Sequence, residues 1–473
     1  MSDNKKFIND IIRVSISNII KLMSGVLVGL LLPKIIGVTD YGFYKTYTLY
    51  IHYVGLFHFG ISDGIYLLYG DKNFDQLDRK KFRFYSRLFI YVEAVLSLVL
   101  ICISLSFLSG ENRFIFSCVA AYLLANNVTG YYQMISQITG RFKELSKRNV
   151  LQSFLISITV LTMYALHKFA SWNFTYRPYT AIYTIMITLL AIWYLCTYRD
   201  ITLGDSVSVK ENLGDIIHFI KIGFPLTVAN LCSTLVLSLD RQFVNILFDT
   251  DSYAVYAFAY NMLALVTTAV SAVSTVLYPR LKRASAQTLK ENYSDLVGII
   301  APIVSLAMSI YFPLFLFVNW FLPKYSGSLP IFRIIFPGLI ISSVVTIIMH
   351  NYYKVIGINN KFFLKSLCTL IVSGIANYIA YRFFGTTSSI SIASIITMLF
   401  WYVYVEYYFI KTYKIKWKRN MIYILLIIFS FYMITAIENI ILAFVMYVAI
   451  SCLITFAVYK DRVMKMIKEK KLK

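Results

Sequence analysis

Fourteen apolar runs, each about long enough to cross a bilayer, fill this 473-residue chain from about residue 11 to residue 459. They lie near 11–36, 43–67, 84–108, 114–138, 150–168, 178–198, 218–248, 254–278, 295–318, 331–350, 363–384, 389–410, 421–437 and 440–459. In hydrocarbon a backbone must satisfy its own hydrogen bonds, so runs of this length and number fold as helices packed side by side. Only 14% of the residues are charged and 59% are hydrophobic. A soluble chain of this size would carry about 25% charge and divide into two or three domains. The expected fold class is all-α, a polytopic membrane protein of about 14 transmembrane helices.

A formal net charge of +22 would suggest a nucleic-acid partner on a soluble chain, but its placement excludes that reading. Of the 45 Lys and Arg, 35 fall in eight segments on one side of a fourteen-span arrangement: the amino terminus, the hairpin around Arg79, residues 141–148, 199–221, 280–290, 354–365, 411–419 and the tail from Lys460. Basic residues resist translocation, so short Lys/Arg-rich loops are cytoplasmic. Both termini are expected inside the plasma membrane of a bacterium or archaeon, with the same residues holding anionic lipid headgroups. The first run is too long for the core of a cleavable signal. Cys102, Cys118, Cys196, Cys232, Cys368 and Cys452 sit singly within spans, and the five histidines form no cluster, so no metal site is expected.

The chain divides into two halves of six spans. Sliding the first over the second by 212 residues places Asn18 on Asn230, Leu27 on Leu239, Tyr41 on Tyr253 and Tyr44 on Tyr256 without a gap. An even number of spans per half gives copies of parallel topology, a plan common among transporters. The expected organisation is an N-terminal lobe over 1–198, a polar linker over 199–217, a C-terminal lobe over 218–410 and two additional helices with a basic tail over 411–473. No outward loop exceeds about a dozen residues, which leaves no room for an external catalytic domain.

Ionisable groups inside a span are costly and mark cavities or buried partners. Span one carries Asn18, Lys21, Gly25 and Gly29 on one helical face. Lys21 lies too deep for easy snorkelling, whereas Gly25-x-x-x-Gly29 can equally serve close helix approach. Span seven carries the repeat-related stripe Asn230, Thr234, Ser238 and Arg241, with Asp240 beside Arg241 but unable to face it as a helical neighbour. Span two contributes Lys45 and His52 on one face. Weaker polar stripes are Asn126, Gly130, Gln133 and Gln137 on span four, Asn261, Thr268, Ser271 and Thr275 on span eight, and Ser343, Thr346 and His350 on span ten. Together they suggest a single cationic cavity between the halves, lined by Lys21, Lys45 and Arg241, with Arg333 at its mouth. Such a cavity selects anionic groups such as phosphates.

With these residues in view, the chain resembles the polysaccharide-export flippases of the multidrug/oligosaccharidyl-lipid/polysaccharide superfamily, the Wzx type. The resemblance rests on the Asn18-containing first span, Gly37-Val-Thr-Asp-Tyr-Gly-Phe-Tyr44, Phe59-Gly-Ile-Ser-Asp-Gly64, Gly223-Phe-Pro-Leu226, Asp240-Arg241 and Tyr278-Pro-Arg-Leu281. It implies a two-lobed bundle that moves an undecaprenyl-diphosphate-linked oligosaccharide to the outer leaflet by alternating access, with polymerase or export machinery as partners. Lys21, Lys45 and Arg241 then correspond in position to cavity charges of the family. No nucleotide-binding loop of the Gly-x-x-x-x-Gly-Lys-Ser/Thr type appears and no cofactor is expected, so transport calls for either a proton or sodium gradient or removal of product outside; for coupling, Asp240 is the first candidate and Glu93, Glu406 and Glu438 the alternatives. Two other readings stand beside it. A cation-coupled efflux pump of the same superfamily shares the two-lobed plan but is typically shorter by two spans. A membrane polysaccharide polymerase would need the external loop that this chain lacks.

Overall fold

The computed structural model describes the backbone of residues 3–70, 73–282, 284–415 and 417–471, and within these the side chains other than 3–12, 210–211, 233, 268–276, 278–280, 359 and 462–471. Thr268, Ser271, Thr275 and most of the Tyr278-Pro-Arg-Leu281 motif therefore lie outside the described side chains. The fold is all-α; among the described residues the only β pairing is an isolated bridge between Ile36 and Phe174. Among the described residues, eleven helices are long and apolar enough to cross a membrane, or twelve if one bent pair counts as a single span. Of the expected runs, that near 331–350 is the bent pair, that near 43–67 is broken, and that near 254–278 lies within a continuous helix of 33 residues.

The chain forms two compact units, residues 1–231 and 232–473. The first contains α1 (Asp3–Ile35), α2 (Val38–Ile51), a 3-10 turn (Val54–His58), α3 (Ile61–Tyr69), α4 (Arg79–Phe107), α5 (Gly110–Ile138), α6 (Phe142–Ala170), α7 (Tyr176–Thr197) and most of α8 (Val209–Val236). Asp78 starts α4 by accepting from the backbone N–H of Lys80 and Lys81 at 3.0 and 3.2 Å, the usual satisfaction of a helix's first free donors. The break between α2 and α3 frees backbone groups that no solvent would reach in a bilayer. Asn127 Nδ2 donates to the Val54 carbonyl at 3.0 Å, and His58 Nδ1 accepts from the Gly60 N–H at 3.0 Å. Such local repair is what permits a broken span.

The boundary between the units falls inside α8 rather than in the polar 199–217 segment, and the packing explains why. A Cβ placed on Gly223 would lie 2.0 Å from the Gly60 carbonyl oxygen, and one on Gly64 would lie 2.3 Å from that of Phe219. The backbones of α3 and α8 thus touch through three glycines, and Gly60 also adopts a left-handed φ of 79°. Thr227 Oγ1 donates to buried Asp63 at 2.5 Å beside this crossing. Lower on α8, Asp215 accepts from Tyr85 OH and from Lys81 Nζ. Two of the short motifs in the sequence, Phe59–Gly64 and Gly223–Leu226, are therefore the two faces of one helix crossing. Gly25, by contrast, has open space at its Cβ, so close helix approach is not its role.

The second unit contains α9 (Leu239–Leu247), α10 (Thr250–Lys282), α11 (Ala286–Ala307), α12 (Tyr311–Phe321), α13 (Leu329–Ile335), α14 (Gly338–Ser343), a π-helical segment (Val344–Met349), α15 (His350–Val355), α16 (Asn359–Phe384), α17 (Thr387–Tyr413), α18 (Trp417–Ile434) and α19 (Ile440–Lys471). The internal repeat is visible in the element ends. Under the same shift of 212 residues, the end of α1 at Ile35 falls on the end of α9 at Leu247, and the start of α2 at Val38 on the start of α10 at Thr250. The copies differ in where they break: α1 is continuous where span seven breaks at Leu237-Ser238, and α10 is continuous where span two breaks. Helices α18 and α19 dock on α11 through hydroxyls. Ser305 Oγ meets Tyr423 OH at 2.8 Å and Ser451 Oγ at 3.1 Å, and Tyr447 OH donates to the Ser305 carbonyl at 2.9 Å.

Candidate substrate-binding site

A cavity of about 390 Å³ opens within the second unit, walled by Leu237, Arg241, Tyr260, Leu263, Ala264, Thr267, Gly338, Ser342, Ser343, Thr346, Ile347 and Met398. Its chemistry begins at the break in span seven. Val236 ends α8, Leu237 and Ser238 form a tight turn, and Leu239 opens α9. The turn frees the Leu237 carbonyl, which accepts from Arg241 Nη2 at 3.2 Å. The guanidinium carbon then lies 4.8 Å from the centre of the Tyr260 ring, within cation–π range. Arg241 Nε is buried without a partner, and among the described residues no carboxylate pairs with this arginine.

Asp240 points elsewhere, as its position next to Arg241 requires. Its carboxylate accepts from Tyr256 OH at 2.7 Å, from Tyr260 OH and from the Arg241 backbone N–H at 2.8 Å. Tyr260 therefore joins the two residues: its hydroxyl holds the acid while its face supports the base. The arrangement satisfies Asp240 by hydrogen bonding and leaves the positive charge of Arg241 unmatched among the described residues of the cavity. An anion entering here gains a charge-assisted hydrogen bond, typically about 1.5–3 kcal/mol. The opposite wall is the junction of α14 with the π-helical segment, an irregularity often found at functional sites. Its Ser342, Ser343 and Thr346 supply hydroxyls, and Thr346 Oγ1 bonds back to the Ser342 carbonyl at 2.7 Å.

The remaining residues picked out from sequence lie in two places. In the first unit, Asn18 and Lys21 are exposed on α1, while buried Ser24 of the same helix donates to the Ser153 carbonyl of α6 at 3.0 Å. Lys45 lies over the rings of Tyr41 and Tyr44, at 5.1 and 5.7 Å. His52 caps α2 and is exposed, its Nδ1 hydrogen-bonded to the Thr48 carbonyl; Asn230 is exposed near the end of α8. In the second unit, Arg333 lies near the end of α13. Its Nε donates to Thr435 Oγ1 at 3.0 Å and its Nη2 to the Tyr432 carbonyl at 2.9 Å, tying α13 to the end of α18, where carbonyls lack helical partners. Ser343 and Thr346 reach the Arg241 cavity, whereas His350 stacks on Phe362 at 4.4 Å. Tyr256 and Tyr260 were not legible as site residues. The available signal was their spacing of four, one turn apart, on the span following a buried acid.

The family model described as "Polysaccharide biosynthesis protein" matches residues 7–285, and the chain belongs to that family. No curated protein matches the sequence. Among solved structures, the fold is similar to "Lipid II flippase MurJ, inward closed conformation", with a TM-score of 0.69 and 15% identity over 97% of this chain and 100% of that one. It is also similar to an inward-facing multidrug resistance MATE family transporter of the MOP superfamily, at TM-score 0.61 and 14% identity over 86% and 99% of the two chains. The Vibrio cholerae MATE transporter VcmN, solved as a point mutant, aligns at TM-score 0.56 and 13% identity over 86% and 97%. The protein is thus a multi-pass membrane protein with the fold of flippases and efflux transporters, and its structural neighbours are transporters rather than enzymes.

Proposed function

We propose that this protein flips an undecaprenyl-diphosphate-linked oligosaccharide repeat unit from the cytoplasmic to the outer leaflet of a plasma membrane, for assembly of a surface polysaccharide. The observation that carries the reading is Arg241: a cation without an acidic partner among the described residues, half-buried in a cavity lined by hydroxyls, in a chain of the polysaccharide biosynthesis family. Arg241 holds the diphosphate through its free N–H groups, and Ser342, Ser343, Thr346 and Tyr260 contact phosphate or sugar oxygens. Lys21 and Lys45 meet the same anion at another stage of an alternating-access cycle, with Asn18, Asn230 and His52 as polar contacts. Both termini are cytoplasmic in this arrangement, and a polymerase takes up the product outside. The step forms and breaks no covalent bond, so a proton or sodium gradient, or consumption of the product, drives it. Asp240 anchors Tyr260 and sets the rotamer of the neighbouring arginine.

The similarity to MATE transporters keeps efflux of small amphiphiles as a second reading. A cavity whose one charged group among the described residues is Arg241 favours anions over the cationic compounds such a pump would carry. The test is the lipid fraction of a deletion strain. Accumulation of lipid-linked repeat units, reversed by the wild-type gene and not by Arg241→Ala, is expected. Normal lipid-linked pools together with lost drug resistance would assign the efflux function.

A further inference from the structure

Four acidic side chains are buried among the described residues: Asp63, Glu93, Asp240 and Glu406. Three are held by donors. Asp63 accepts from Thr227 at 2.5 Å, Glu93 from Asn127 Nδ2 at 2.9 Å, and Asp240 from two tyrosines and a backbone N–H. Glu406, on α17, is the exception. It is 0% exposed, and neither of its carboxylate oxygens has a hydrogen-bond partner.

What surrounds Glu406 is chemically uniform. Tyr293 of α11 and Tyr402, one turn earlier on α17, are its polar neighbours, and both hydroxyl oxygens are buried with no partner within 3.5 Å. Tyr352 and Tyr353 of α15 lie beside Tyr293, but their hydroxyls are committed to the carbonyls of Leu289 and Val405 at 3.1 and 2.9 Å. Phe409 stacks on the Tyr293 ring at 4.6 Å. Among the described residues no cation of an adjoining element makes an ion pair with Glu406: Lys365 of α16 bonds the Tyr404 carbonyl and lies 4.0 Å from that ring, and Arg419 of α18 lies 4.9 Å from the Tyr459 ring.

An ionised carboxylate here has no counter-charge and at most two tyrosine hydroxyls as donors, a costly way to bury one. A hard metal cation would need about six oxygen ligands, and three side chains converge here. A proton satisfies the group with what is present: the neutral carboxyl donates to one tyrosine oxygen and accepts from the other hydroxyl after small rotamer adjustments. Glu406 lies seven residues before the end of α17 at Tyr413, about 10 Å along the helix.

We propose that Glu406, with Tyr293 and Tyr402, forms a proton-binding site of the second unit, loaded from water in one stage of the transport cycle and emptied in another. Loading adds a proton from water to one carboxylate oxygen; release returns it to water and regenerates the carboxylate, with no other bond changed. This assignment rests on the transport reading and gives the coupling role to Glu406 rather than to Asp240, whose oxygens are already occupied.

The experiment is infrared difference spectroscopy of the purified full-length protein in lipid, between acidic and alkaline buffer, without substrate. A protonated-carboxyl band that titrates in the wild type is expected to disappear in Glu406→Gln and to persist in Asp240→Asn. Tyr402→Phe and Tyr293→Phe should move its frequency, which keeps the test open if Glu406→Gln does not fold. A band unchanged in Glu406→Gln, a band lost in Asp240→Asn, or removal of the band by sodium at constant pH would each overturn the assignment. Because this readout needs no substrate, it can fail or succeed independently of the flippase reading. In liposomes, acceleration of transport by an imposed pH gradient should vanish in Glu406→Gln; undiminished acceleration would overturn the coupling role.

Discussion

Replacing Gly223 by alanine tests the crossing of α3 and α8 with a single methyl group. The new Cβ would lie 2.0 Å from the Gly60 carbonyl oxygen and 2.5 Å from the Gly64 nitrogen, about 1.4 Å short of ordinary contact at the closer atom. Both obstacles are backbone, so no rotamer change relieves them and the helices must separate. Overpacking of this kind costs about 1–3 kcal/mol. Separation also stretches the Thr227–Asp63 hydrogen bond from 2.5 Å, and losing a buried bond to a charged group costs about 1.5–3 kcal/mol more. The expected destabilisation is about 2.5–6 kcal/mol, the sum of the two. Gly25→Ala is the internal control. Nothing lies within 4 Å of its Cβ, so the higher helix propensity of alanine should stabilise the protein by about 0.5–1 kcal/mol. Denaturant unfolding of the detergent-purified variants measures both. If Gly223→Ala unfolds at the same midpoint as Gly25→Ala, the backbone contact described for α3 and α8 is wrong.

Other expectations follow from the same structure. Arg241→Ala should lower transport about ten- to hundred-fold, the equivalent of one charge-assisted hydrogen bond, with normal abundance in the membrane. Arg241→Lys should recover part of it, because charge returns without the planar fork; full activity of the alanine variant would remove Arg241 from the site. Tyr260→Phe deletes a donor to buried Asp240 while keeping the ring beneath Arg241, so it should cost about 1–3 kcal/mol of stability. Equal melting of Tyr260→Phe and wild type would contradict the hydrogen bond. Reporter fusions at Lys80 and Lys147 should report cytoplasm, and those at Gly110 and Lys324 the outside; a cytoplasmic signal at Lys324 would break the topology.

The fold was largely legible because a bilayer enforces it: apolar runs of about 20 residues have one economical conformation. What hydropathy does not record is where a span breaks. Span two and span seven read as continuous apolar runs, yet Gly60 with its left-handed φ and the Leu237-Ser238 turn interrupt them. The site divides the same way. Arg241 was visible because an ionisable residue in a span is conspicuous, and the structure places it in a cavity. Tyr256 and Tyr260 were not, because tyrosine is common in this chain and only the fold shows which hydroxyls meet Asp240. Arg333, a charge near a span end, bonds the end of a neighbouring helix, a contact that hydropathy does not record. The unit boundary within α8 reflects three glycines that allow backbone contact, a property of two segments more than 150 residues apart in the sequence.

The central claim is that this chain moves a lipid-linked oligosaccharide and that Arg241 holds its diphosphate. The most direct measurement is flipping of a fluorescently labelled undecaprenyl-diphosphate oligosaccharide in liposomes containing the purified protein, followed by loss of outer-leaflet signal to a membrane-impermeant quencher. Transfer well above that of empty liposomes is expected, inhibited by excess unlabelled lipid diphosphate and reduced at least about ten-fold in Arg241→Ala. Transfer indistinguishable from empty liposomes, or equal in wild type and Arg241→Ala, would contradict it.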